Sequence, residues 1–191
     1  LLRKSFVLIG LVFALCTPGL ALAQGETDPA SWTPRPGDRF LVDVKANEGY
    51  LVHSDGTFVA FPVATGQRRT VWYIGRTYYA ATPERHWTVK EINIKGDHIT
   101  FGPTGRFLRL FTDDGKSTPY GLHGHASSKE MLSEDGSKRF RSMGCVIVSE
   151  QVLSLLERSV NVNDGTLDVT TLSGLVEPAY AQTAFVWEAK K

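Results

Sequence analysis

From Arg39 to Leu172 the apolar positions recur mainly at every second residue, the period of a half-buried β-strand. The alternation is cleanest in "RFLVDVK", where Phe40, Val42 and Val44 share one face and Leu41, Asp43 and Lys45 the other. "YLVHSDGTFVAFPVATG" sets two apolar runs around Ser54-Asp55-Gly56, and Asp-Gly is a strong hairpin signal. Pro62 has no N–H to give a ladder, so the second arm lies at an edge or leaves the sheet there. "TVWYIGRTYYAATP" reads either as another strand pair or as a flap facing substrate. Core packing is the ordinary use of its aromatics, Trp72, Tyr73, Tyr78 and Tyr79. "WTVKEINIKGDHITF" predicts a second hairpin, Trp87 to Ile94 against His98 to Phe101 around Lys95-Gly96-Asp97. "FLRLF" and "YGLHG" add two short strands, with the turn-like Asp113-Asp114-Gly115 between them.

The period changes late in the chain. Ala126 to Leu132 predicts a short helix. Ser149 is a suitable N-cap with Glu150 in the first turn, and Val152, Leu153, Leu155, Leu156 and Val160 follow at helical spacing. Asn161, Asn163 and Gly165 stop that helix, and "TLDVTTL" returns to strand. The pattern predicts one mostly β domain, residues 39–172, with one clear helix.

The flanks read differently. Arg3 and Lys4, the apolar run Phe6 to Leu15, the break at Pro18-Gly19 and Ala21-Leu22-Ala23 have the layout of a cleaved export signal, residues 1–23. Cys16 raises lipoprotein processing as an alternative, but Leu15 before it is a poor match to the small residue such processing needs. A retained anchor helix is the other alternative, and the apolar run is short for one. Residues 24–38, with Pro29, Pro34 and Pro36, read as a flexible linker, and residues 173–191 as a C-terminal extension.

Composition narrows the partners. A formal net charge of +1 gives no reason to expect nucleic acid, and export without an anchor leaves no stable membrane span. Export also makes the cysteine count informative. Once Cys16 leaves with the signal, Cys145 is the sole thiol in an oxidising compartment, either reactive or a buried inert hydrophobe.

The sequence around Cys145 favours reactivity. A free thiol with a pKa of about 8.5 is mostly protonated at neutral pH, and a nearby imidazole can take its proton. His123 stands twenty-two positions upstream, behind a loop long enough to fold the two together. Gly124 permits an unusual turn after it, and His125 is a rival base. Met143-Gly144-Cys145 begins a tight turn whose N–H groups could converge on an oxyanion. Arg139 and Arg141, with Lys138, are either a solvated face or a seat for a substrate carboxylate. His53, His86 and His98 read as structural. A metal held by His123, His125 and Cys145 lacks a fourth ligand at suggestive spacing, so neither metal nor cofactor is expected.

The pair "YGLHG…SMGC" resembles the catalytic domain of L,D-transpeptidases of the YkuD type, whose signature is His-Gly or His-Ser followed by Ser/Thr-His-Gly-Cys. "VATG" at Val63 to Gly66 is similar to that family's pre-site strand, and "ATPERHWTVKE" to its Thr-Pro-x-Gly-x-Phe segment. The resemblance implies a β-sandwich of short antiparallel strands with one or two helices beside the active-site loop. It implies Cys145 as nucleophile, His123 as base, the Gly124 carbonyl orienting the imidazole, and Ser142, Met143 and Gly144 shaping the turn. The implied substrates are peptidoglycan tetrapeptide stems in the periplasm or cell envelope, and the family is acylated by carbapenems.

Three departures stand out. Met143 replaces the usual histidine, Ile147 replaces the usual Arg or Asn two positions after the cysteine, and eighteen residues separate His123 from Ser142. Transfer to water instead of an amine would make the enzyme an L,D-carboxypeptidase, and a cell-wall-binding β domain is the non-enzymatic alternative. Papain-like peptidases reverse the order of cysteine and histidine, and sortases carry a close arginine after the cysteine where this chain has only Arg158.

Overall fold

The computed structural model describes residues 28–175 together with the short strand Gly25–Glu26. The proposed signal at 1–23 and most of the C-terminal extension therefore lie outside the described residues. The element order is β1 (Gly25–Glu26), β2 (Arg39–Asp43), β3 (Glu48–Val52), β4 (Phe58–Pro62), β5 (Thr65–Gly66), β6 (Thr70–Tyr73), β7 (Arg76–Tyr79) and β8 (Arg85–Ile94). There follow β9 (Arg106–Phe111), β10 (Ser117–His123), α1 (Ser128–Met131), a 3-10 turn (Gly136–Lys138), β11 (Phe140–Ser142), β12 (Val146–Ile147), α2 (Glu150–Val162) and β13 (Leu167–Leu172). Among these elements no helix is long and apolar enough to cross a membrane.

Nine strands form one sheet in the order β1-β4-β3-β2-β13-β8-β9-β10-β12. Most neighbours are antiparallel, while β1/β4, β2/β13 and β10/β12 run parallel. The sheet curls so far that its two ends meet. Ala64, just past β4, exchanges both backbone hydrogen bonds with Ile147 of β12, at 2.9 and 2.8 Å. β5 then pairs with β11 as a separate two-stranded ribbon. Strands from both ends wrap a single core with α2, whose Val152, Leu153, Leu155, Leu156 and Val160 are buried in it. Each such side chain contributes about 1.5–3 kcal/mol of transfer free energy.

The alternation in "RFLVDVK" sorts its residues correctly. Phe40, Val42 and Val44 enter the main core, and Leu41 enters a smaller cluster with Tyr50, Val52 and Phe58 on the opposite face. The Asp-Gly hairpin also forms as expected: Val52 pairs with Phe58, and Asp55 accepts from Thr57 N and Oγ1. α2 starts at Glu150, with Ser149 Oγ accepting from Val152 N at 3.2 Å.

Two expectations fail. His98 to Phe101 is not a strand; Asp97 accepts from the N–H groups of Ile99 and Thr100, and this Asx-type turn diverts the chain. β8 pairs instead with β9, from Ile94↔Arg106 to Thr88↔Phe111 with a register shift between Val89 and Glu91. The expected linker is packed at two points, Trp32 and Asp38: Trp32 is 4% exposed in the main core and stacks on His53 at 3.8 Å. His53 Nδ1 lies 2.5 Å from Asp38 Oδ1, both side chains buried, so the structural reading of that histidine holds.

Candidate active site

β10 and β12 set the chemistry side by side. Their parallel register pairs Leu122 with Val146 and His123 with Ile147. Side chains two apart on a strand share a face, so Cys145, which enters β12, lies on the face that His123 occupies at the end of β10. Both line one cavity of about 680 Å³, together with Tyr78, Tyr120, Phe101 and Phe107.

The histidine is fixed in one useful state. Its Nδ1 lies 2.6 Å from the Gly124 carbonyl. A carbonyl oxygen can only accept, so Nδ1 carries the hydrogen and Nε2 keeps its lone pair. The ring is 4% exposed, packed edge-on by Phe101 (5.2 Å) and tilted against Phe107 (5.8 Å). Desolvation in this aromatic box pushes its pKa below the usual imidazole value, against the opposing pull of the Gly124 carbonyl. His123 is therefore a neutral base at neutral pH. The Phe107 ring in turn requires Gly121, because a Cβ there would meet it at 2.4 Å.

The thiol is not ionised in advance. Desolvation pushes Cys145 up to about 11, while the Gly121 N–H and the Arg109 charge act weakly the other way. Its Sγ faces the Pro119 carbonyl at 3.9 Å. The geometry supports a neutral thiol and neutral imidazole, with proton transfer accompanying attack on an electrophile.

The turn before Cys145 is stapled from within and from outside. Ser142 Oγ donates to the Cys145 carbonyl (2.6 Å) and accepts from Gly144 N (3.0 Å). The Gly144 N–H is therefore spent on the turn. Gly144 has φ +120°, and a Cβ there would stand 2.6 Å from Tyr120 Cε1, so both torsion and space demand glycine. From outside, Tyr78 Oη donates to the Met143 carbonyl at 3.1 Å, and Gln67 Nε2 approaches Met143 Sδ at 3.5 Å.

The remaining candidates separate. His125 and Arg141 line the cavity, Arg141 with its Nε donating to the Lys138 carbonyl. Arg139 does not line it. It is 5% exposed, with Nη1 on Glu48 Oε1 (2.7 Å) and the Asn47 carbonyl, and its other nitrogens on the Ser133 and Glu134 carbonyls. Its guanidinium holds the covering loop to β3, which corrects the substrate-binding expectation. The His123 and His125 Nδ1 atoms are committed to Gly124 O and Ser127 N, and no three metal-type donors converge among the described residues.

The hairpin β6–β7 escapes the core. Its inward face, Tyr73, Arg76 and Tyr78, lines the cavity with the tip residue Ile74, while Trp72 and Tyr79 are 71% and 60% exposed. The stretch is a strand pair, as one of the two sequence readings had it, and one face of it lines the cavity. Arg76, Lys95 and Arg109 are cavity residues that sequence reading missed, because they lie on β7, just past β8 and on β9, outside the motif.

The signature of the L,D-transpeptidase catalytic domain (YkuD) matches residues 37–170. Among solved structures, an L,D-transpeptidase from Xylanimonas cellulosilytica is 23% identical, with a TM-score of 0.51, covering 75% of this chain and 66% of that one. Bd1075 of Bdellovibrio bacteriovorus is 14% identical, with a TM-score of 0.51, over 88% of this chain and 59% of that one. The helical cell shape determining protein Pgp2 of Campylobacter jejuni, as a K307A mutant, gives 14% and 0.49, over 83% and 56%. This chain thus spans less than two thirds of the length of each, and no curated protein matches it.

Proposed function

This chain belongs to the L,D-transpeptidase catalytic domain family, and on that premise we propose that it is an exported cysteine acyltransferase acting on peptidoglycan tetrapeptide stems. The observation that carries this reading is the pairing of the free Cys145 with a neutral, Gly124-anchored His123 in one cavity.

The reaction runs in two halves. As Cys145 Sγ attacks the carbonyl of the bond to the terminal D-alanine, its proton passes to His123 Nε2. The C–S bond forms, the C–N bond breaks, and the imidazolium returns the proton to the departing amine. An acceptor amine then attacks the thioester, His123 takes a proton from it, and the thiolate leaves and is reprotonated. Gly144 N–H is already engaged, which leaves the Met143 and Cys145 N–H groups as the turn's donors for the oxyanion. Tyr78 and Ser142 hold that turn in place. Met143 in place of histidine leaves the scheme intact, because the turn uses its carbonyl. Ile147 is 2% exposed and tied to Ala64, so it serves the fold at a position where the family places a polar residue.

The test is incubation of the purified chain with disaccharide-tetrapeptides and a D-amino acid, read by mass spectrometry beside Cys145→Ala. Exchanged or cross-linked stems absent from the variant support transpeptidation. Tripeptide alone points to L,D-carboxypeptidase activity. Stem binding without any cysteine-dependent product would replace the enzyme with a wall-binding domain.

A further inference from the structure

The cavity carries more charge than thiol–imidazole chemistry uses. Arg76, Lys95, Arg109 and Arg141 line it, and no aspartate or glutamate does. They come from three strands, β7, β9 and β11, and from the loop just past β8, so the positive charge reaches the cavity from several sides.

Three of these four cations are held without a carboxylate partner among the described residues. Arg76 stacks over Tyr78 at 5.5 Å, and Lys95 and Arg109 both lie 5.3 Å from the Phe107 ring, geometries that fix a cation without cancelling its charge. Arg109 has one acidic neighbour, Glu91 at 3.5 Å, and donates to the Thr118 carbonyl. Among the described residues, Arg76, Lys95 and Arg141 have no carboxylate within salt-bridge distance. Like charges gathered around a partly enclosed, low-dielectric cavity repel one another, and an anionic ligand relieves that repulsion. A single carboxylate can answer one or two of them. Four on separate walls fit a ligand with several separated carboxylates.

We infer that the cavity selects stem peptides whose side-chain and α-carboxylates are free, over the same stems with those groups converted to primary amides. This rests on the acyltransferase reading above. Amidation removes the charge and keeps the shape, so any discrimination is electrostatic. Arg76 and Arg141 are exposed and outside the core, so their replacement leaves the fold intact.

Two measurements separate this inference from the reading beneath it. Turnover of free-acid and amidated disaccharide-tetrapeptides by the purified chain should favour the free acid by about tenfold or more in kcat/KM. The preference should shrink with added salt and collapse, mainly through KM, in Arg76→Gln/Arg141→Gln. Calorimetric binding of both stems to Cys145→Ala should give the same order of affinity without chemistry. Equal turnover and equal binding, or a preference untouched in the double variant, would overturn the selection and leave the acyltransferase intact. Discrimination in binding with no cysteine-dependent product would leave the selection standing and sink the acyltransferase.

Discussion

At the residue scale, Cys145 and His123 shift in opposite directions, and the pH behaviour follows from that. His123 sits below its ordinary value, so its protonated form is disfavoured on folding. Its burial contributes stability that is present above the unfolded imidazole value and lost as pH falls through the lower folded one. Cys145, raised to about 11, contributes stability that is full below its unfolded value and lost as pH rises through the folded one. The acid limb of activity is expected below the ordinary histidine range, with a broad plateau above it, in a profile of kcat/KM against pH. Alkylation by iodoacetamide should be slow at neutral pH and should accelerate towards pH 11; fast alkylation at pH 7 would mean a pre-formed thiolate. His123→Ala should lower the acylation rate by about 10²–10⁴-fold, the usual worth of a positioned base. Ser142→Ala removes two hydrogen bonds from the turn and should cost about 1–3 kcal/mol in urea unfolding, with kcat falling more than KM rises.

At the element scale, the loop covering the site is tied down by Arg139, and the flap is joined to the site turn through Tyr78. Arg139 spans from the loop to β3 through Glu48 and three carbonyls. Arg139→Met leaves the half-buried Glu48 unpaired and unties the loop from β3, and should destabilise the chain by about 1–3 kcal/mol. The flap turn, Ile74-Gly75, has φ 50° and 73°, the primed geometry of a two-residue hairpin. A β-branched residue is strained at positive φ, by on the order of 1–3 kcal/mol. Ile74 is 80% exposed there and lines the cavity, so the strain sits at the cavity's edge. Ile74→Asn should raise the unfolding midpoint and weaken KM; a lower midpoint would show the turn is not strained.

At the scale of the whole molecule, closure of the sheet creates the site. The Ala64–Ile147 bridge and the β5–β11 ribbon bring residues near β4 against the cysteine strand. Gly66 of β5 is also pressed against the segment after β7: a Cβ there would meet the Ala80 carbonyl oxygen at 2.6 Å. Glu150, at the start of α2, closes the other side. Its Oε2 accepts from Thr104 and Arg106, and its Oε1 occupies the space that a side chain at Gly124 or Gly102 would need. Gly124→Ala should therefore displace the carbonyl that anchors His123 and reduce activity out of proportion to its effect on stability. Trp32 extends the fold in the opposite direction. Trp32→Ala should cost about 3–5 kcal/mol in denaturant unfolding, a loss expected only if this segment is part of the core.

The sequence by itself determined what depends on near neighbours. The two-residue period sorted Phe40, Val42 and Val44 from Leu41, Asp-Gly marked its hairpin, and Ser149 marked the start of α2. The His-Gly and Ser-x-Gly-Cys pair marked the candidate site; Gly144 answers a local demand, its φ of +120°, whereas Gly124 is kept small by Glu150 from α2. Asp97 misled because its turn competes with strand at the same composition. Only the tertiary structure decided which arginine faces the cavity and which is buried, since Arg139 and Arg141 differ by two positions and part only when the sheet curls. It alone placed Arg76, Lys95 and Arg109 beside the thiol, and set Phe101 and Phe107 around His123. A cavity's field and a base's desolvation are sums over groups distant in sequence, and no short stretch of the chain encodes them.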